Sequence, residues 1–256
     1  MSIPDKIRTS CRIAKLFRNW PVLWLLKFRL IPKGRMLTAR FRDGRSISFR
    51  AGLNEIAFGE NLLTEGYSHP ALQWDGLRSV VDIGANIGAF CIWLFKRSPA
   101  AQYALFEPVP EIRGILQANL AANPALHARL FGSAVAGQRG SATLYIDDDN
   151  AGASSLFAQS SPHTRKVQVP TISLNDLFHD GLIGSVDLLK LDCEGAEFEI
   201  FSSLEEPNWE RIRQVVVETH QRPGRDPQML VGTLEQHGFK TFRGGRNPNV
   251  IWARRS

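Results

Sequence analysis

From Ser79 onward, short apolar segments alternate with helix-patterned ones: SVVDI, AFCIWLFKR, QYALFE, EIRGILQANLAAN and ARLFGSAVA, then, after an interruption over 137–170, VDLLKLD, EFEIFSSL and QVVVETH. Strands apolar at every position cannot lie against water on either side. The pattern therefore predicts an α/β fold, with a mostly parallel sheet covered by helices on both faces. A final helix over PQMLVGTLEQHG leads to FKTFRG and NVIWARR, with Gly244, Gly245 and Asn247 between them. Those turn residues predict a closing hairpin. The boundary of this main domain is drawn at residues 79–256.

Residues 1–78 read as a basic annex. The first 50 residues carry 13 Lys and Arg against two acids, while the rest of the chain carries 18 against 23, so the net charge of +6 belongs to one end. The segment Cys11 to Pro32 mixes Trp20, Trp24, Leu25 and Phe28 with Lys15, Arg18, Lys27 and Arg29. Its longest uncharged run, Asn19 to Leu26, has eight residues, against about 20 for a membrane span. No small-residue cleavage site follows, which argues against a signal peptide. Two readings remain: an amphipathic helix on an anionic membrane surface, or, with the greater weight, a helix packing its aromatics on the domain or on a second subunit. The stretch MLTARFRDGRSISFRAG places Asp43-Gly44 between two alternating runs, predicting a hairpin over 36–50 with a type I′ turn. Asn54 to Tyr67 reads as helix and loop. The three cysteines, Cys11, Cys91 and Cys193, form no C-x-x-C pair, so neither disulfide framework nor zinc cluster is expected and a cytoplasmic setting fits.

The turn after the first domain strand, VVDIGANIGAF, lies where parallel α/β sheets bind ligands. A dinucleotide fingerprint would read G-x-G-x-x-G. Here the glycines are Gly84 and Gly88, with Asp82 two residues before the first. An acid facing the mouth of such a turn repels a pyrophosphate and suits a cationic ligand such as S-adenosylmethionine. Glu107 ends the second strand, placed to accept both ribose hydroxyls.

These residues carry a family resemblance. VVDIGANIG at 80–88, FEPVPE at 106–111, LQANLAAN at 116–123, LLKLDCEGAEFEIF at 188–201 and VVVETH at 215–220 resemble the FkbM family of S-adenosylmethionine-dependent methyltransferases. The resemblance implies a Rossmann-like methyltransferase fold, a seven-stranded sheet with its last strand antiparallel, and methyl transfer to oxygen on sugars, polysaccharides or natural products. By motif match it makes Asp82, Gly84, Asn86, Gly88 and Glu107 the cofactor set. The sequence departs from the family pattern at Asn175, where an Asp is frequent, and in GSAVAG, which offers no acid to the adenine amino group.

An alcohol is a weak nucleophile, so its methylation needs a base or a metal beside the hydroxyl. The fourth and fifth strand tips supply Asp192, Glu194, Glu218 and His220; His220 is the expected base, with Asp192 and Glu194 beside it. The same three could hold a divalent metal, but nothing in their spacing demands one, and the favoured site contains no metal. Glu197 and Glu199 read as a solvated helix face. The loop Asp147 to Asp149 with Asn150, Gly152, Ser154 and Ser155 could contact a polyhydroxyl acceptor. The expected partner is a hydroxyl-bearing small molecule or saccharide, with room for an oligomer and for peripheral membrane contact. A nucleic-acid methyltransferase is disfavoured because DCEG stands where amino-group methyltransferases commonly carry a D/N-P-P-Y/F turn. A dehydrogenase is disfavoured by Asp82, and a non-catalytic binding module would use the basic arm alone.

Overall fold

The computed structural model describes residues 11–27, 30–53, 66–147, 154–157, 164–220, 222, 224–244 and 247–255. The expected helix and loop from Asn54 lies almost wholly outside them, as do residues 148–153 of the acidic loop and part of the turn around Gly245.

In the annex, residues 11–16 are helical, and a second helix, α1, spans Trp20–Lys27. The two are separated because Phe17 turns aside to bridge Phe41, and Asn19 bonds the hairpin through Thr38 O (2.7 Å) and Arg40 N (2.9 Å). The hairpin pairs β1 (Met36–Arg40) with β2 (Ser46–Arg50), in antiparallel register from Met36↔Arg50 to Arg40↔Ser46. Its turn differs from expectation. Gly44 N–H bonds Phe41 O and only Gly44 has positive φ (97°), so Asp43 keeps an ordinary backbone conformation and the loop is a type I turn closed by a left-handed glycine. Ile13, Phe17 and Leu23 face inward, but Trp20, Val22, Trp24 and Leu25 are exposed, Trp20 to 39% and Trp24 to 40%. Of the two packings expected for this helix, on the domain or on a second subunit, the first is therefore not met by Trp20 and Trp24, which stay outside the domain core.

The main sheet is built from β3 (Ser79–Ile83), followed by α2 (Ala89–Phe95), β4 (Gln102–Phe106), α3 (Pro110–Ala121) and β5 (Ala128–Phe131). The third expected strand, ARLFGSAVA, splits at Gly132, against which the Arg113 guanidinium packs. Its second half, β6 (Ala134–Val135), joins β7 (Gly140–Asp147) and β8 (Thr164–Ile172) in a separate three-stranded sheet. After α4 (Leu174–His179) come β9 (Leu188–Leu191), α5 (Glu197–Ser203), α6 (Glu206–Trp209), β10 (Gln214–Glu218), α7 (Pro227–Gln236), β11 (Phe239–Phe242) and β12 (Val250–Arg255). Asn175, where the family pattern departs, bonds Glu205 N, Asn208 and Ser203 O and so ties α4 to α6.

The seven strands lie in the order β11-β12-β10-β9-β3-β4-β5. Only β12 runs against its neighbours. This is the doubly wound α/β sheet with an antiparallel last strand that the sequence predicts. Side chains alternate between two cores: Val80, Leu188 and Val216 enter one, Val81, Leu189 and Val217 the other. Phe17, Ile47 and Phe49 of the annex share the first core with Val80 and Phe90. Among the described residues no helix is long and apolar enough to cross a membrane.

Candidate active site

The strand register decides which polar groups meet. Asp82 is the direct partner of Lys190 on β9, and Lys190 of Val216 on β10. Because side chains alternate, Asp82, Lys190, Asp192, Glu218 and His220 all have the parity of the first core, and they gather where β3, β9 and β10 end. Lys190 Nζ stands 3.0 Å from Asp82 Oδ1 and 3.5 Å from Asp192 Oδ2, and donates to Gly84 O at 2.9 Å. The Asp82 side chain is wholly buried and that of Lys190 is 3% exposed. Burial disfavours the lysine charge, but Asp82, Asp192 and Glu218 outweigh it and hold the ammonium above its ordinary pKa. The sequence pattern predicts that the Asp82 carboxylate faces the mouth of the turn. The structure corrects this: the carboxylate faces an internal ammonium.

The turn itself is self-contained. Gly84 and Ala85 N–H both bond Phe106 O, Asn86 N–H bonds Glu107 Oε2, Ile87 N–H bonds Asn86 Oδ1, and Gly88 N–H bonds Ala85 O. All five donors of the turn are used within the protein, leaving none to cradle a pyrophosphate. Gly84 (φ 74°) has no room for a side chain, since a Cβ would fall 1.8 Å from Asp192 O. The absence of a side chain at Gly84 lets the ends of β3 and β9 pack closely. Asn86 adopts a left-handed conformation (φ 50°), which an asparagine tolerates better than most residues.

Glu107 joins the turn to the start of α3. Its Oε2 accepts from Asn86 N–H at 3.0 Å and its Oε1 from Val109 N–H at 2.8 Å. Burial pushes its pKa up to about 7, partly offset by those two amides. Each carboxylate oxygen retains a second lone pair, so the residue can still accept two hydroxyl donors.

On the other side, three side chains converge. His220 Nε2 lies 3.7 Å from Asp192 Oδ1 and 3.5 Å from Glu194 Oε2, while Nδ1 lies 2.9 Å from Glu197 Oε1. Burial alone would lower the His220 pKa, but Glu197 first, then Glu194 and Asp192, raise it to about 9. The imidazole is thus protonated at neutral pH, not poised near its unperturbed value as the sequence suggests. Burial raises Glu194 to about 7, opposed by His220 and reinforced by Asp192. Glu194 is the second non-glycine residue with positive φ (55°), and Ser155 Oγ donates to its carbonyl at 2.7 Å. The far end of the acidic loop therefore does reach the site.

Three contributors escape sequence reasoning. Glu197, expected on a solvated face, is fully buried against His220, and Glu199 pairs with Arg222 and Arg225. Tyr67 OH reaches both Asp192 Oδ2 (2.7 Å) and Glu218 Oε2 (2.5 Å), offering one proton to two carboxylates. Lys190 does carry a signal, being the one charge inside an otherwise apolar β9.

Residues 82–241 match the family model of the methyltransferase FkbM domain. Methyltransferase sdnD of Sordaria araneosa is 34% identical over 193 residues, covering 64% of this chain and 74% of that protein. The 31-O-demethyl-FK506 methyltransferase FkbM of Streptomyces tacrolimicus is 26% identical over 231 residues, 79% of this chain and 88% of its own length. Among solved structures, an O-methyltransferase family protein from Burkholderia thailandensis aligns with 93% of this chain and 68% of its own at 12% identity and a TM-score of 0.46, a likeness too loose to bear on function.

Proposed function

The chain belongs to the FkbM methyltransferase family, and on that footing we propose that it moves a methyl group from S-adenosylmethionine to a hydroxyl oxygen of a small natural product or saccharide. The observation that carries this reading is the meeting of Asp192, Glu194 and His220 at the same strand ends as the glycine turn and Glu107. Residues 1–78 are kept as an annex and 79–256 as the methyltransferase domain.

The residues present suit the cofactor. Glu107 has a lone pair left on each oxygen for a vicinal diol. The saturated amides of the turn disfavour a phosphate, and the carboxylates Asp192, Glu194 and Glu218 favour a cation at its mouth. Glu107, Asn86 and the turn between Gly84 and Gly88 would hold the nucleoside. Asp82 would act through Lys190, which fixes Gly84 O and Asp192, and so is a positioning residue. When bound, the cofactor supplies an electrophilic methyl group on a sulfonium.

The chain's own groups do the rest. Asp192, Glu194 and His220 would surround an acceptor hydroxyl; with the imidazole protonated, a carboxylate of the set would take the hydroxyl proton as the new C–O bond forms and the methyl–sulfonium bond breaks. Glu197 orients the imidazole through Nδ1. Ser155, Phe157 and Arg222, whose guanidinium lies 3.1 Å from the Phe157 ring centroid, form the side on which the acceptor would enter. The name of one relative, 31-O-demethyl-FK506 methyltransferase, supports an oxygen acceptor on a natural product.

The test is incubation of the protein with methyl-labelled S-adenosylmethionine and fractionated metabolite extracts. Label in a small neutral product, in a linkage that survives mild base as an ether does, supports the proposal. Label confined to RNA or DNA would replace it by the nucleic-acid alternative.

A second partner is suggested by α1. Trp20, Val22, Trp24, Leu25, Leu30 and Met36 are exposed within one stretch flanked by the exposed Lys15, Arg18, Lys33, Arg35 and Arg40. Exposed aromatic and basic side chains close together in this segment favour peripheral contact with an anionic lipid surface.

A further inference from the structure

We propose that Asp192, Glu194 and His220 form a divalent metal site. This involves the same side chains as the methyl transfer above but stands on their separations and outer contacts alone. One ligand atom from each of the three residues lies within 4.8 Å of the other two. The two separations from His220 Nε2, 3.5 and 3.7 Å, exceed hydrogen-bond length. Two ligands each about 2.1 Å from one ion stand about 3.0 Å apart at a right angle and about 3.4 Å apart at the tetrahedral angle. The observed spacing is thus that of a slightly open coordination shell, closed by small side-chain rotations.

The independent support comes from behind the imidazole. Glu197 is fully buried; its Oε1 faces His220 Nδ1 at 2.9 Å, and its Oε2 has no hydrogen-bond partner among the described residues. A buried carboxylate on Nδ1 fixes that nitrogen as the donor and turns Nε2 toward Asp192 and Glu194, where an ion would take the place of the Nε2 proton. This carboxylate–histidine arrangement is the usual outer support of a metal-bound imidazole. Tyr67 supports the second ligand in the same way, bonding Asp192 Oδ2 at 2.7 Å and leaving Oδ1 toward His220. Glu194 holds its place through a left-handed backbone (φ 55°) tied by Ser155. Two carboxylates and one imidazole suit Mn(II) or Zn(II) better than Ca(II). Three protein ligands leave positions open for an acceptor oxygen, whose proton such an ion would make easier to remove.

The test uses the full chain, stripped with chelator, and titration with MnCl₂ followed by loss of the free-ion electron paramagnetic resonance signal. Uptake of one ion per chain is expected, weakened at least tenfold in Asp192→Asn and His220→Ala and by about 10- to 100-fold in Glu197→Gln. Thermal melting of each variant verifies that it is folded. No uptake by the wild-type protein, or uptake that these three substitutions leave unchanged, overturns the site. Calorimetry with S-adenosylmethionine on the same stripped protein separates the two proposals: cofactor binding without Mn(II) uptake removes the metal site alone, and Mn(II) uptake without cofactor binding removes the proposed reaction alone.

Discussion

Replacing Lys190 by methionine keeps most of the side-chain volume and removes one charge from the middle of the sheet. In the variant the Asp82 carboxylate, wholly buried, loses the ammonium 3.0 Å away and keeps no counter-ion among the described residues. Breaking a buried pair from one side costs about 3–5 kcal/mol, against about 5–15 kcal/mol of total stability for a typical domain. For a chain of this size, that lowers the melting temperature by about 10 °C. The double variant Asp82→Asn, Lys190→Met removes both charges, and its cost should fall to about 1–2 kcal/mol, chiefly the lost bond to Gly84 O. The assay is urea unfolding of the wild type, Lys190→Met, Asp82→Asn and the double variant at pH 8 and pH 5. Burial already raises the Asp82 pKa above its unfolded value, and without Lys190 it rises further. A raised carboxylate pKa contributes stability that is present at low pH and lost as pH climbs through the folded value. Lys190→Met should therefore recover part of its deficit at pH 5, relative to wild type. A double variant destabilised by the sum of the singles, or a single variant within about 1 kcal/mol of wild type, would refute the buried-pair reasoning.

With the Glu107 pKa at about 7, binding of adenosine, which carries the diol without a group titrating near neutrality, should tighten about tenfold from pH 6 to pH 8 as the carboxylate ionises. Calorimetry at both values checks it, and Glu107→Gln should bind weakly with no such slope. His220→Ala is expected to lose at least a hundredfold in turnover while retaining cofactor binding; unchanged label transfer would remove His220 from the chemistry. Trp20→Ser with Trp24→Ser should abolish co-sedimentation with phosphatidylserine vesicles while the protein still melts cooperatively, because both indoles lie outside the buried core; if the pair sediments as wild type does, α1 is not the contact.

How legible each feature is in the sequence depends on how local its signal is. The apolar runs and their helical partners predict the parallel sheet, because burial on both faces leaves a pattern within five residues. Glu107, Asp192, Glu194 and His220 are legible as strand-end residues, and period-two alternation puts Glu218 and His220 on one face. The same alternation, taken inward, turns Asp82 toward the interior and pairs it with Lys190, an inference that attention to the mouth of the turn conceals. Glu197 is not legible: four residues beyond Cys193, it looks like an ordinary acid in a first helical turn, and only the return of His220 from β10 shows what it contacts. Tyr67 is 125 residues from Asp192. No window of sequence contains both.

The insertion of β12 between β10 and β11 has a bearing on how the protein is made. A nascent chain emerging from the ribosome can zip β3, β4, β9 and β10 together as each appears, but β11 has no strand to dock on until residues 250–255 follow it out. Until then one edge of the growing sheet, with Val215 and Val217 on it, stays bare and sticky. A released chain truncated before Val250 would keep that edge unpaired, a template for association with other chains.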